Sequence, residues 1–200
     1  MQRHSPAAAF HESTTPLDNS ASSTHPLREP AAFDRLFESH HLAVFRYIYG
    51  MHGGPTEEVE DLTAETFTRA WKARASFSGS PEAGLSWLIR IARNLVIDTQ
   101  RRRKGRAALE PLWNSEETLS AAPSSLPGPE ERLLRQQQFG IVVSLLQQLP
   151  AAQQEMLVLR YLLEWPVKEI AAHLGMLENT VSVNIRRGLQ AIRSAWPEER

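Results

Sequence analysis

Apolar residues recur along most of this chain at intervals of three and four, the period of an amphipathic helix. Phe33, Leu36, Phe37, His41, Val44, Phe45 and Ile48 fall on one helical face, and Gly53-Gly54-Pro55 ends that run. Thr56 is placed to cap a second helix whose apolar residues are Val59, Leu62, Phe67 and Ala70. A Gly/Ser/Pro loop over Ser76–Gly84 leads to a third helix from about Leu85, burying Leu88, Ala92 and Leu95. A second block begins with a helix over Glu130–Leu149, stopped by Pro150. Ala152, Met156, Leu159 and Leu163 share the next face, which Trp165-Pro166 breaks. Pro166 sits at or beside the start of a short helix, Val167–Leu174, where its missing N–H costs little. Gly175 supplies a turn, and a last helix near Glu178–Ala195 points Val181, Ile185, Leu189 and Ile192 inward. Alternation of period two is hard to find anywhere, so the expected fold class is all-α.

Between and before these blocks the pattern stops. Residues 1–30 are rich in Ser, Thr, Pro, Ala and His and bury little, so a disordered tail is expected. Residues 105–129, including Ala121-Ala-Pro-Ser-Ser-Leu-Pro-Gly-Pro129, read as a flexible linker. The organisation expected is therefore a tail, a helical domain over 31–104, the linker, and a second helical domain over 130–200. No segment repeats at a fixed period. The chain has no cysteine, which rules out disulfides and thiolate metal sites and fits a reducing cytoplasm. Neither a signal-peptide core nor a membrane-length apolar run is present, so a soluble cytoplasmic protein is expected.

Charge changes the picture by its distribution. The formal net charge is only −1, mildly against nucleic-acid binding. Yet Arg90, Arg93, Arg101, Arg102, Arg103, Lys104 and Arg106 crowd one stretch against Asp98 alone, while Glu57, Glu58, Glu60, Asp61 and Glu65 crowd another. Segregation of this kind points to two different partners, one of them anionic. A basic helix ending in four consecutive cations suits phosphate tracking, although cations also favour a helix C-terminus for electrostatic reasons alone. In the second block, a short helix, a Gly turn and a longer helix with Thr180, Asn184, Arg186 and Arg187 outward form a helix-turn-helix pattern. His40, His41 and His52 lie near one another in sequence but lack metal-ligand spacing. No metal or cofactor is expected. No nucleophile set, Gly-rich phosphate loop or paired carboxylates stand in an enzyme-like context.

Both blocks resemble the extracytoplasmic-function (ECF) sigma factors of bacterial RNA polymerase. Phe33-Asp-Arg-Leu-Phe37 with Tyr47, Glu60-Asp-Leu-Thr-Ala-Glu-Thr-Phe-Thr-Arg-Ala-Trp71 and Trp87-Leu-Ile-Arg-Ile-Ala-Arg-Asn-Leu-Val-Ile-Asp98 resemble their region 2. Leu149-Pro150, Met156-Leu-Val-Leu-Arg-Tyr161, Glu169-Ile-Ala171, Leu174-Gly175 and Thr180-Val181 resemble their region 4. The resemblance implies a non-enzymatic factor that binds core polymerase, recognises the −10 and −35 promoter elements and promotes DNA melting. It places Asp61, Leu62, Glu65, Thr66 and Phe67 on the β′ clamp. Trp87, Arg90, Arg93, Asn94, Arg101, Arg102 and Arg103 fall at the −10 element, behind a base-reading loop at Phe77–Ser86. Thr180, Ser182, Asn184, Arg186 and Arg187 fall at the −35 element. The implied partners are core polymerase through its β′ clamp and β flap, promoter DNA, and an anti-sigma factor.

Four positions depart from the family pattern: Ala64 where Gln is common, Leu177 at the capping position of the recognition helix, and Ser182 and Asn184 where Lys and Arg are common. Asn179 or Thr180 would cap a helix that starts later, and recognition of the −35 element is expected to be altered or weakened. Two other readings stay open on the residues alone. A helix-turn-helix regulator explains 150–194 and would footprint a duplex unaided, but does not explain 31–104. A sigma-like decoy would hold polymerase without forming an open complex.

Overall fold

A computed structural model of the chain describes Leu27, residues 29–107 and residues 139–196. Every regular element among them is helical. The tail before Leu27, the linker beyond residue 107 and the chain end after Trp196 lie outside the described residues.

Helix α1 spans Pro30–His52, with Pro30 in the first turn, where a missing N–H leaves no bond unmade. Gly53 ends it at φ 56°, a left-handed value that favours glycine, and its N–H returns to Tyr49 O at 3.0 Å. Helix α2 spans Thr56–Ala73. Pro55 rather than Thr56 takes its capping position, because Val59 N–H already bonds Pro55 O and Thr56 is inside the first turn. Two 3₁₀ turns, Arg74–Ser76 and Pro81–Ala83, lead into α3, Gly84–Ala107, which runs past the boundary expected at 104. The three helices pack on one another around Val44, Ile48, Val59, Leu88, Ile89, Ala92 and Val96, all fully buried. Each larger side chain contributes about 1.5–3 kcal/mol of transfer free energy. Leu27, expected in the tail, is buried in this same core. Phe37, expected inward, remains 43% exposed against His41 and Phe67.

The second bundle begins with α4, helical over 139–147; residues 130–138 of the expected 130–149 helix lie outside the described residues, and Gln148 and Leu149 already form a turn before Pro150. Helix α5, Ala151–Leu157, passes directly into a π turn over Val158–Leu162. There Leu163 N–H reaches back five residues to Val158 O at 3.2 Å. Helices α6 (Val167–Leu174) and α7 (Glu178–Ala195) follow. Gly175 lies at φ 66°, ψ 35°, and its N–H and that of Met176 both return to Ala171 O, closing α6 tightly enough for α7 to turn away. Leu177 is the residue before α7, and its carbonyl accepts Val181 N–H at 3.1 Å. The helix therefore does not start later, and Asn179 and Thr180 lie inside its first turn.

The buried residues of both bundles form one continuous cluster. The junction is made at Gly50 of α1, where a Cβ would stand 2.7 Å from Leu162 and 2.8 Å from Val158.

Candidate nucleic-acid and polymerase interface

Two charged helical faces and one helix-turn-helix carry the candidate residues. On α2, Asp61 is exposed, and Leu62 and Glu65 are half-buried. Arg69 Nε donates to Glu65 at 2.7 Å, and that bond holds the carboxyl below the usual carboxylate range. Thr66 and Phe67, expected on the same surface, are turned into the bundle. Thr66 Oγ1 donates to Leu62 O at 2.7 Å, and the Phe67 ring meets Phe37 edge-on at 4.8 Å. The available acidic face is therefore Asp61 with Glu60, Ala64 and Thr68 beside it. At one end of this face, burial raises Glu58, but hydrogen bonds from His52 and Arg103 outweigh it and keep the carboxyl ionised.

On α3, Arg90, Asn94, Arg101, Arg102 and Arg103 are exposed. Arg103 is spent in part on its ion pair with Glu58, so the cation run is not uniformly free for phosphate. Trp87 is half-buried against Phe77, ring centroids 5.0 Å apart. The loop before it is anchored at both ends: Phe77 is buried, and Ser86 Oγ lies 2.7 Å from His173 Nδ1 of α6. Ser78, Ser80 and Glu82 remain outward.

On α7, Ser182, Arg186 and Arg187 are exposed, and Thr180 and Asn184 are half-buried. Asn184 Nδ2 donates to Thr180 O at 2.9 Å, so its amide is bonded to its own helix as the structure stands. Ser182, Arg186 and Arg193 line an open depression of about 560 Å³ floored by Ile185 and Leu189. His40, His41 and His52 do not converge: His41 stacks on Phe37 and His52 bonds Glu58. Among the described residues no three potential ligands stand close enough to hold a metal ion. Also among them, no helix is long and apolar enough to cross a membrane.

Arg93 is in a different position from its neighbours. Its Nε donates to both oxygens of Glu155, at 2.7 and 3.0 Å, and Tyr47 Oη donates to Glu155 Oε1 at 2.9 Å. Burial alone would lower the Arg93 pKa, but the Glu155 bond and charge outweigh it. Burial, reinforced by Glu155, pushes the Tyr47 phenol well above its ordinary value. Beside this triad, Gln154 Nε2 donates to Gly50 O at 2.9 Å and Met51 O at 3.1 Å. The last carbonyls of a helix have no partner within it, so α5 satisfies the end of α1. Sequence reasoning missed Glu155 and Gln154. The available signal was their register: Glu155 lies four residues before Leu159 and next to Met156, on an apolar face.

Residues 36–106 match the family described as sigma-70 region 2, and residues 139–192 match sigma-70 region 4. The chain is 30% identical over 171 residues to the ECF RNA polymerase sigma factor BldN of Streptomyces coelicolor. It is 26% identical over 170 residues to the ECF RNA polymerase sigma factor SigL of Mycobacterium tuberculosis. The chain belongs to the ECF sigma factor family. The aligned parts cover 86% of this chain but 62% of BldN, and 85% of this chain with 92% of SigL. Two solved structures share the fold. One is CnrH in complex with the cytosolic domain of CnrY, TM-score 0.58 at 24% identity, covering 84% of this chain and 89% of CnrH. The other is the sigma factor RpoE of Bartonella quintana in complex with the anti-sigma factor NepR, TM-score 0.62 at 20% identity, covering 84% and 98%. The first bundle is thus region 2, and the second is region 4.

Proposed function

We propose that this sigma factor binds core RNA polymerase in the cytoplasm, directs it to promoters and assists DNA melting, with no bond chemistry of its own. The observation that carries the reading is an exposed basic face on α3 and a helix-turn-helix in one chain, in the order of regions 2 and 4. The acidic face around Asp61 suits a basic surface, which the β′ clamp would supply. Arg90, Asn94, Arg101 and Arg102 suit the −10 element, where phosphate contacts position the strand and a flipped base enters the loop at Phe77–Ser86. Ser182, Arg186 and Arg187 of α7 suit the major groove at the −35 element, with Thr180 and Asn184 reaching it once Asn184 leaves its backbone bond. Region 4 would also grip the β flap. The anti-sigma partner in the RpoE–NepR structure supports a protein inhibitor of the same kind here.

Run-off transcription with active core polymerase on fragments of the source genome tests this reading. Discrete start sites that depend on the chain are expected. Absence of any start site, with the core active on a control sigma factor, overturns it.

A further inference from the structure

We propose that Glu155 is an internal competitor of DNA phosphate, holding region 4 against region 2 and occupying Arg93 until promoter DNA replaces it. The inference rests on the assignment of α3 to DNA.

Arg93 and Tyr47 together present an N–H and an O–H to one buried carboxylate. A phosphodiester offers the same acceptor pair with the same charge, so the two anions suit one site. Glu155 is only 4% exposed. Its burial removes a carboxylate from water, and the Arg93 bond largely offsets that loss rather than exceeding it. Such a contact exchanges readily for another anion. The rest of the junction is built for closeness. Gly50 lies inside α1, where glycine weakens a helix, yet its bare Cα is what admits Val158 and Leu162. Gln154 caps α1 from the opposite bundle, and His173 meets Ser86 at the start of α3. In this closed form, Arg93 and Ser86, both at the −10 end of α3, are engaged by region 4.

The test uses the full chain, whose lack of cysteine allows labels at Thr68→Cys on α2 and Lys168→Cys on α6, both exposed. Pulsed electron resonance should give one narrow inter-label distance. Glu155→Gln, which keeps an acceptor but removes the charge, should broaden and lengthen it. Gly50→Leu, which wedges the junction without touching Arg93 or Glu155, should do the same on a helix that leucine favours. Both variants should bind a mixed-sequence single-stranded DNA about fivefold more tightly at low salt, as the competent fraction rises. Adding Arg93→Ala to Gly50→Leu should cancel that gain. A broad wild-type distance, or one unmoved by either variant, overturns the latch. So does an equal affinity gain from Glu169→Gln, which removes an exposed region 4 charge. Opening without any affinity gain overturns the competition. Because the distances need no polymerase, a responsive distance with failed run-off transcription indicts the sigma assignment instead.

Discussion

Region 2 and region 4 manage their polar groups in opposite ways. Region 2 has three long helices, closes its own core, and displays its charge in two blocks of opposite sign on α2 and α3. Region 4 uses shorter helices interrupted by a π turn and a left-handed glycine, and its charges from Pro150 to Arg200 cancel. It also sends buried polar side chains, Gln154 and Glu155, into the other bundle. Region 2 is thus a platform with surfaces to offer, and region 4 supplies donors to the end of its first helix. Region 4 completes itself partly by docking on that platform, and its cancelling charges give it less electrostatic pull of its own.

That contrast can be broken most forcefully in the platform. Leu88→Ala should destabilise the chain by about 2–5 kcal/mol, since the site is fully buried. Denaturant unfolding should show the loss, and hydrogen exchange should speed up in both regions. Gln154→Ala should behave differently. It removes one donor each from Gly50 O, which keeps Gln147 Nε2 at 3.3 Å, and Met51 O, which keeps Gln100 Nε2 at 3.0 Å, a loss of about 0.5–1.5 kcal/mol. Exchange should then quicken in α5 and at the end of α1 while the middle of α3 stays protected; equal loss of protection in α3 would erase the distinction between platform and docked unit. Leu177→Asp should gain about 0.5–2 kcal/mol by supplying α7 with its missing cap. A rise in melting temperature measures it.

Acidity offers a smaller handle. His173 is pushed down to about 4, by burial first and by Arg90 and Arg93 second. Below the ordinary value of 6.5, an undocked imidazole takes a proton that the docked one refuses. The docked form therefore keeps its full His173 contribution above about pH 6.5 and loses it as pH falls toward 4. The ring is half-buried, and solvent screening should hold the change to the order of 1 kcal/mol. His173→Gln should flatten that part of the pH dependence, read from the labelled distance. The smallest effect concerns single cations: Arg101→Ala should lower the salt slope of DNA binding by about 1, whereas Arg103→Ala should lower it less because Glu58 already holds Arg103.

Much of this arrangement was legible in the sequence. The periodicity located α1, α2, α6, α7 and the start of α3 to within a residue or two, and Gly175 marked the turn between α6 and α7. Propensity rules stumbled at helix starts. Pro55 and Leu177 hold the positions where Thr56 and Asn179 or Thr180 looked better suited, because the backbone bonds to Pro55 O and Leu177 O set each start. A linear motif also does not say which way a side chain turns. Thr66 and Phe67 share a motif with Asp61 but face the core, which follows from their register with Val59 and Ala70. The junction was the least legible part. Gly50, Tyr47, Arg93, Gln154 and Glu155 are separated by up to 108 positions, and no local pattern pairs them.

The π turn at Val158–Leu162 has an evolutionary reading. A π turn is an α-helix carrying one extra residue, and each residue turns a helix by about 100°. Loss of Tyr161, an exposed residue at the outer side of this turn, would let the ladder relax to ordinary α bonds. The wide turn absorbs that extra residue locally, so α5 keeps its packing on α7 and the turn stays against α6. A single-codon deletion at this point would therefore act first on Val158 and Leu162, the turn residues that pack against Gly50 of α1. The junction between the bundles is thus open to change in one step, separately from the outward face of α7.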